Sequence, residues 1–247
     1  MMAARKTDKT IRSVGEFISR LHETSTSKRR LFRGQSTDKP LLPRIMRLAK
    51  ENHISPNDIN GIEQRMLERF KKESVPMLQV TKELADWELM SIAQHWGMPT
   101  RLLDWTANPL AGLWFAVSAD PPNKKDHGVV WVLEGPNERT FNYDEDVFAL
   151  EKTCFFEPPH LDRRIVAQSG WFSVYRHNRQ EFLPLEKQKR YADKVTRFII
   201  AHDCFQSLRQ ELRLLGVNHV AIFPDLSGLG ADIQAEFLDS RRGLDTV

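Results

Sequence analysis

The sequence predicts an α+β fold, and three observations carry that expectation. Apolar residues recur at helical spacing through the first half of the 247-residue chain, whereas most β-branched apolar runs lie in the second half. No regular alternation of strand and crossover helix appears, as a parallel α/β sheet would require. No period of about 20–50 residues repeats and no low-complexity tract appears, so residues 1–247 read as one domain.

Val14, Phe17, Ile18 and Leu21 predict a short amphipathic helix that ends near the Ser/Thr cluster at 24–27. Leu31 to Arg33 reads as a strand stopped by Gly34. Pro40 and Pro43 then keep the chain extended before a helix over 44–51. Ile62, Met66, Leu67 and Phe70 form the apolar stripe of a helix over about 58–73, with Asp58 as N-cap. Its other face, Glu63, Arg65, Glu68, Arg69 and Lys72, is expected to be solvated.

Leu84, Trp87 and Ala93 predict a helix over 83–96, ended by Gly97-Met98-Pro99, which leaves Gln94 and His95 on the last turn. Residues 100–106 suit a short strand. Asn108 caps the next helix, with Pro109 at its first position. Residues 129–133 are a buried strand by composition. Further strands are expected at 164–168, 171–175, 195–200 and 219–223, and a helix at 205–215.

Composition excludes several classes of protein. Cys154 and Cys204 have no metal-ligand or disulfide-framework spacing, and the expectation is reduced thiols and no metal. No run of about eighteen apolar residues occurs and the N-terminus lacks an apolar h-region, so the expectation is a soluble cytoplasmic protein without a membrane segment. The net charge of +3 is distributed unevenly. Residues 1–50 carry thirteen Lys/Arg against four Asp/Glu, a local charge of +9, and the remainder carries −6. Such asymmetry permits attraction to a polyanion or a phosphate-bearing ligand, or simply a solvated basic surface.

The chemistry concentrates in QHWGMPTRLLDWTANP, residues 94–109. Strand alternation puts Leu102, Asp104 and Thr106 on one face and Arg101, Leu103 and Trp105 on the other. Asp104 and Thr106 thus face one space just before a helix N-terminus, where backbone N–H groups favour an anion. The plainer alternative is that Asp104 pairs with Arg101 or caps the helix. His95 has the titration range of a general acid or base, although a lone histidine is more often structural. Arg33 next to Gly34 would let a ligand approach the backbone while the guanidinium grips an oxygen. Dinucleotide, Walker, nucleophile-elbow and zincin signatures are missing.

Leu31-Phe32-Arg33-Gly34-Gln35 together with residues 93–116 resembles the FRG-domain family. Its further patterns match Arg164-Ile165-x-x-Gln168-x-Gly170-x-Phe172 and Phe223-Pro224-Asp225-Leu226-x-Gly228-Leu229. The resemblance spans about residues 30–230. It implies an ADP-ribosyltransferase-like mixed split sheet flanked by helices, with NAD as co-substrate, in a toxin of bacterial phage-defence systems checked by an antitoxin. Arg33 fits that fold's first catalytic position and Thr106 the second, while Gln168 stands where a Glu is expected; Glu181 and Glu236 match no motif. By this resemblance Arg33 holds the ribose-pyrophosphate, Thr106 orients the nicotinamide ribose and Asp104 or another carboxylate faces the cation. His95 and Gln94 line the pocket, Gln168 positions the acceptor, and Gly34, Gln35 and Asn108 complete NAD binding.

The expected acceptor is nucleic acid, RNA ahead of DNA, because Trp96, Trp105, Trp171 and Tyr175 together with the basic N-terminal fifth would suit single strands. A protein acceptor is one alternative. A non-catalytic nucleic-acid-binding or regulatory module, in which the motif is a buried structural network, is another.

Overall fold

A computed structural model of the chain describes residues 9–24, 28–78, 84–121, 123, 126–136, 145–159 and 162–239. Residues 25–27 of the Ser/Thr cluster and residue 83, the expected start of a helix, lie outside them. The architecture is α+β: a seven-stranded mixed sheet flanked by helices.

The strands are β1 (Lys9–Ile11), β2 (Arg30–Gln35), β3 (Leu102–Thr106), β4 (Gly128–Glu134), β5 (Cys154–Phe156), β6 (Gly170–Val174) and β7 (Val195–Ile200), in the order β1-β7-β4-β2-β3-β6-β5. β1 and β7 are parallel and all other neighbours antiparallel. β2 pairs with β4 along six positions, Arg30 to Gln35, but with β3 only at Phe32 opposite Thr106. A single rung therefore joins the two halves of the sheet.

Each half has its own helical cover. Helices α1 (Val14–Glu23), α5 (Pro109–Val117) and α7 (Phe205–Leu214) pack their apolar faces on Phe32, Val130, Val132, Phe198 and Ile200. Helix α4 (Asp86–His95) packs on Leu102, Phe156, Phe172 and Val174. On the opposite face Leu31, Leu103, Trp105, Trp131 and Trp171 meet α2 (Arg44–Glu51) and the start of α3 (Ile59–Glu73). Asn108 caps α5, its carboxamide oxygen accepting from the Leu110 and Ala111 amides at 2.9 and 3.4 Å. α4 ends where Gly97 takes φ +90, a conformation that favours glycine, and Met98 N–H returns to the Ala93 carbonyl at 2.9 Å.

Several expectations are corrected. Residues 164–168 and 219–223 are not strands; they belong to helices α6 (Arg163–Ala167) and α8 (His219–Ile222). Asp162 accepts from the Arg164 amide and Asn218 from the Ala221 amide, and each cap starts a helix that β-branched composition alone does not reveal. A further helix, α9 (Leu226–Gln234), follows, capped by Asp225 through the Ser227 and Gly228 amides. Gly34 does not stop β2, which continues to Gln35. Asp58 stands before α3 but makes no side-chain cap; its carboxylate accepts from the Ser55 hydroxyl instead.

Glu63, expected on a solvated face, is 1% exposed. It holds Arg101 by a 2.7 Å bond to Nε and a 2.6 Å bond from the Arg101 amide. Arg101 also donates to Asn60 Oδ1 and lies 4.9 Å from the Phe148 ring centroid. A buried charge needs such partners, and this pair anchors the start of β3 to α3. Among the described residues, no helix is long and apolar enough to cross a membrane.

Candidate functional site

Where β2 and β3 part, Arg33 reaches across the gap. Its Nη1 donates to the Asp104 carbonyl at 2.6 Å and lies 3.5 Å from Asp104 Oδ2. Asp104 Oδ1 accepts from Gln94 Nε2 at 2.7 Å, and Gln94 in turn accepts from the Thr100 hydroxyl. The last turn of α4 thus positions the carboxylate, and in place of the alternative Asp104–Arg101 pair the structure has Asp104–Arg33 and Arg101–Glu63.

Arg44 and Arg47, one turn apart on α2, line the same cleft, a space of about 240 Å³ whose walls include Met98, Leu102 and Leu103. Three guanidinium groups therefore face one carboxylate. Burial first, then the Arg33 and Arg44 charges, push the pKa of Arg47 below its ordinary value. Arg33 Nε is buried without a hydrogen-bond partner among the described residues. Three guanidinium groups against one carboxylate leave an excess of positive charge that an anion would neutralise. Arg44 and Arg47 were not singled out by motif; the only hint in the sequence is their i, i+3 spacing directly after Pro43.

The other expected site residues are engaged elsewhere. Gly34 offers no approach to a ligand: a Cβ there would lie 2.0 Å from the Gly112 carbonyl and 2.5 Å from the Ala116 nitrogen, so its missing side chain lets α5 lie on β2. Gln35 accepts from Trp131 Nε1 at 2.9 Å. Thr106 is 3% exposed; its hydroxyl donates to the Gln168 carbonyl and accepts from the Asn108 amide at 2.9 Å. Gln168 Nε2 donates to the Ile222 carbonyl at 3.1 Å. His95 Nε2 lies 3.4 Å from Asp162 Oδ2 and does not border the arginine cleft.

This second network ties three of the four motif segments together, those of Thr106, of Arg164 and Gln168, and of Asp225. Arg164 Nε donates to Asp225 Oδ2 at 2.6 Å and its guanidinium covers the Phe223 ring at 5.1 Å. The Ser227 hydroxyl, the Gly228 amide and Arg164 hold the Asp225 carboxyl far below the usual carboxylate range. Asn108, in turn, is committed to its helix cap.

Neither Glu181 nor Glu236 borders the cleft; Glu181 lines a separate cavity and Glu236 lies 3.4 Å from Arg213. Of the four aromatics expected to stack on bases, Trp105, Trp171 and Tyr175 are at most 3% exposed and belong to the core. Trp96, 73% exposed beside His95, is the exception. Among the described residues, no group of three or more His, Cys, Asp or Glu is placed to hold a metal ion.

The FRG-domain family model matches residues 28–125. That stretch, 98 of the 247 residues, is similar to the FRG domain. The matched stretch contains every residue of the arginine cleft, from Arg33 to Asp104, whereas Gln168, Arg164 and Asp225 of the second network lie beyond it. No curated protein and no solved structure matches the chain.

Proposed function

We propose that this protein is an NAD-consuming mono-ADP-ribosyltransferase, with the Arg33–Arg44–Arg47 cleft as the receiver of the co-substrate's pyrophosphate. The observation that carries the reading is the convergence of three guanidinium groups and one held carboxylate at the parting of the sheet. The single β2–β3 rung supports the likeness to a split ADP-ribosyltransferase sheet. A cleft of about 240 Å³ is smaller than the roughly 300–1,000 Å³ of whole-ligand sites, so it suits the phosphates, with the rest of the molecule in the open mouth.

NAD would supply a glycosidic C–N bond whose cleavage leaves positive charge on the ribose, as in glycoside hydrolysis. Arg33, Arg44 and Arg47 bind the anionic phosphates and fix their position. Asp104, 63% exposed and held by Gln94, presents a negative charge to the sugar. Thr106 and Gln168 act behind the site by holding β3, α5 and α8 in register. The proposed acceptor is nucleic acid, RNA ahead of DNA, reached through the basic N-terminal fifth. A role as a phage-defence toxin with a neutralising antitoxin follows from the family resemblance.

The test is incubation of the purified protein with labelled NAD and cellular RNA, DNA or lysate. Nicotinamide release and transfer of label are expected, with Arg33→Ala and Asp104→Asn both inactive and natively folded by circular dichroism. Absence of both release and transfer in the wild type refutes the enzyme reading. The second reading, a non-catalytic module, is favoured by the engagement of Thr106 and Gln168 with backbone groups. It predicts RNA binding that weakens with salt and ignores NAD.

A further inference from the structure

A second cavity, of about 440 Å³, lies on the other side of α2 from the arginine cleft. The two spaces share two elements. Arg44 and Arg47 of α2 face the cleft while Ile45 and Met46 face the cavity, and β3 gives Leu102 to Asp104 to the first and the adjoining Arg101 to the second.

The cavity has a partly apolar interior and an excess of cations over carboxylates at its mouth. Ile45, Ile59, Tyr175, Phe182 and Tyr191, each no more than 9% exposed, line its interior. The buried Arg101–Glu63 pair closes one side and is fully committed to its own partners. Around the mouth stand exposed Lys152, Arg176, Lys189 and Arg190, against Glu151 and Glu181. Among the described residues, none of these four cations forms an ion pair with a carboxylate. His177, also in the lining, has its pKa lowered by burial first and then by Arg101, Arg179 and Arg176, which reports the same positive field.

A chamber with a partly apolar interior, in the size range of small-molecule sites and entered past four cations and two carboxylates, suits a particular chemistry: a flat apolar body carrying an anionic group. We propose that this cavity is a second ligand site, separate from the arginine cleft, for a mononucleotide-sized aromatic anion. The phosphate or carboxylate engages Arg176 and Arg190 at the mouth, and the ring system enters between Tyr191, Phe182 and Ile45. Occupancy would bear on α2 and on the start of β3, the two elements that also form the cleft. The inference does not depend on NAD chemistry.

The probe is adenosine 5′-monophosphate, titrated calorimetrically into Arg44→Ala/Arg47→Ala, in which the cleft has lost two of its three cations. Binding at one site is expected, and adding Arg176→Ala/Arg190→Ala should weaken it roughly tenfold or more while the circular dichroism melt is unchanged. Adenosine and inorganic phosphate should each bind more weakly than the monophosphate, since each lacks half of the recognised chemistry. No binding at millimolar probe, binding indifferent to the mouth arginines, or inorganic phosphate binding as well as the monophosphate each overturns the proposal. NAD turnover, read separately, leaves this outcome independent of the transferase reading.

Discussion

Replacing Gly34 with alanine puts a methyl group against backbone that cannot turn aside. The added Cβ would sit 2.0 Å from the Gly112 carbonyl oxygen, 2.5 Å from the Ala116 nitrogen and 2.8 Å from the Phe115 Cβ. An ordinary contact starts near 3.4 Å, so α5 would have to lift from β2 by about 1.4 Å. Overpacking that side chains can absorb costs about 1–3 kcal/mol, and a helix held by its Asn108 cap and by the packing of Leu113, Trp114 and Val117 cannot absorb it as side chains do. Gly34→Ala is therefore expected to cost about 3 kcal/mol or more. With a urea dependence of about 3 kcal/mol per molar, the unfolding midpoint falls by roughly 1 M or more. Urea titration followed by tryptophan fluorescence measures it. An unchanged midpoint, with NAD binding lost instead, would refute the packing argument and restore the reading in which Gly34 admits a ligand.

Two further predictions concern the motif network and the buried pair. Glu63→Ala leaves the Arg101 guanidinium buried without its carboxylate, at a cost of about 3–5 kcal/mol, which lowers Tm by roughly 6–20 °C for a chain of this size; a melt within 2 °C of wild type, by differential scanning fluorimetry, contradicts it. Asp225→Asn keeps a cap acceptor but removes the charge. Because the folded carboxyl is depressed below its unfolded value, its contribution is fully present above the unfolded value of about 4 and is lost as pH falls toward the folded one. The variant should melt below wild type at pH 7, with the gap closing below about pH 4. A gap that is constant from pH 7 to pH 2.5 contradicts the linkage.

Much of the scaffold was legible in the sequence because strong local signals agree with the tertiary structure. Pro43 before α2, Asn108-Pro109 before α5 and the apolar run of β4 each place an element near its observed bounds. Short elements were not legible. Ile165-Val166 and Val220-Ala221-Ile222 carry strand-like composition, and only Asp162 and Asn218, caps two or three residues ahead of the amides they accept from, distinguish the helices. β1 and β5, three residues each, give no periodicity to read.

The site was legible as a neighbourhood and not as an arrangement. Arg33, Gln94 and Asp104 do meet, as their motifs implied. Gly34, Thr106 and Gln168 belong to the same motifs for a different reason: they let α5 approach β2 and bridge the chain at distant points. Glu63 looked solvated because helical periodicity reveals a stripe of apolar residues but not a buried carboxylate awaiting an arginine 38 positions later. Arg44 and Arg47 gain their meaning only when the extended segment before α2 folds that helix over the parting of β2 and β3.

The central claim, that the three-arginine cleft receives the pyrophosphate of NAD, is tested most directly by calorimetric titration of NAD into wild type and Arg44→Ala/Arg47→Ala. Loss of two charge-assisted contacts is expected to weaken binding by roughly tenfold or more, with native circular dichroism in both proteins. Equal affinity in the two proteins, or no heat of binding in the wild type at millimolar NAD, would contradict it.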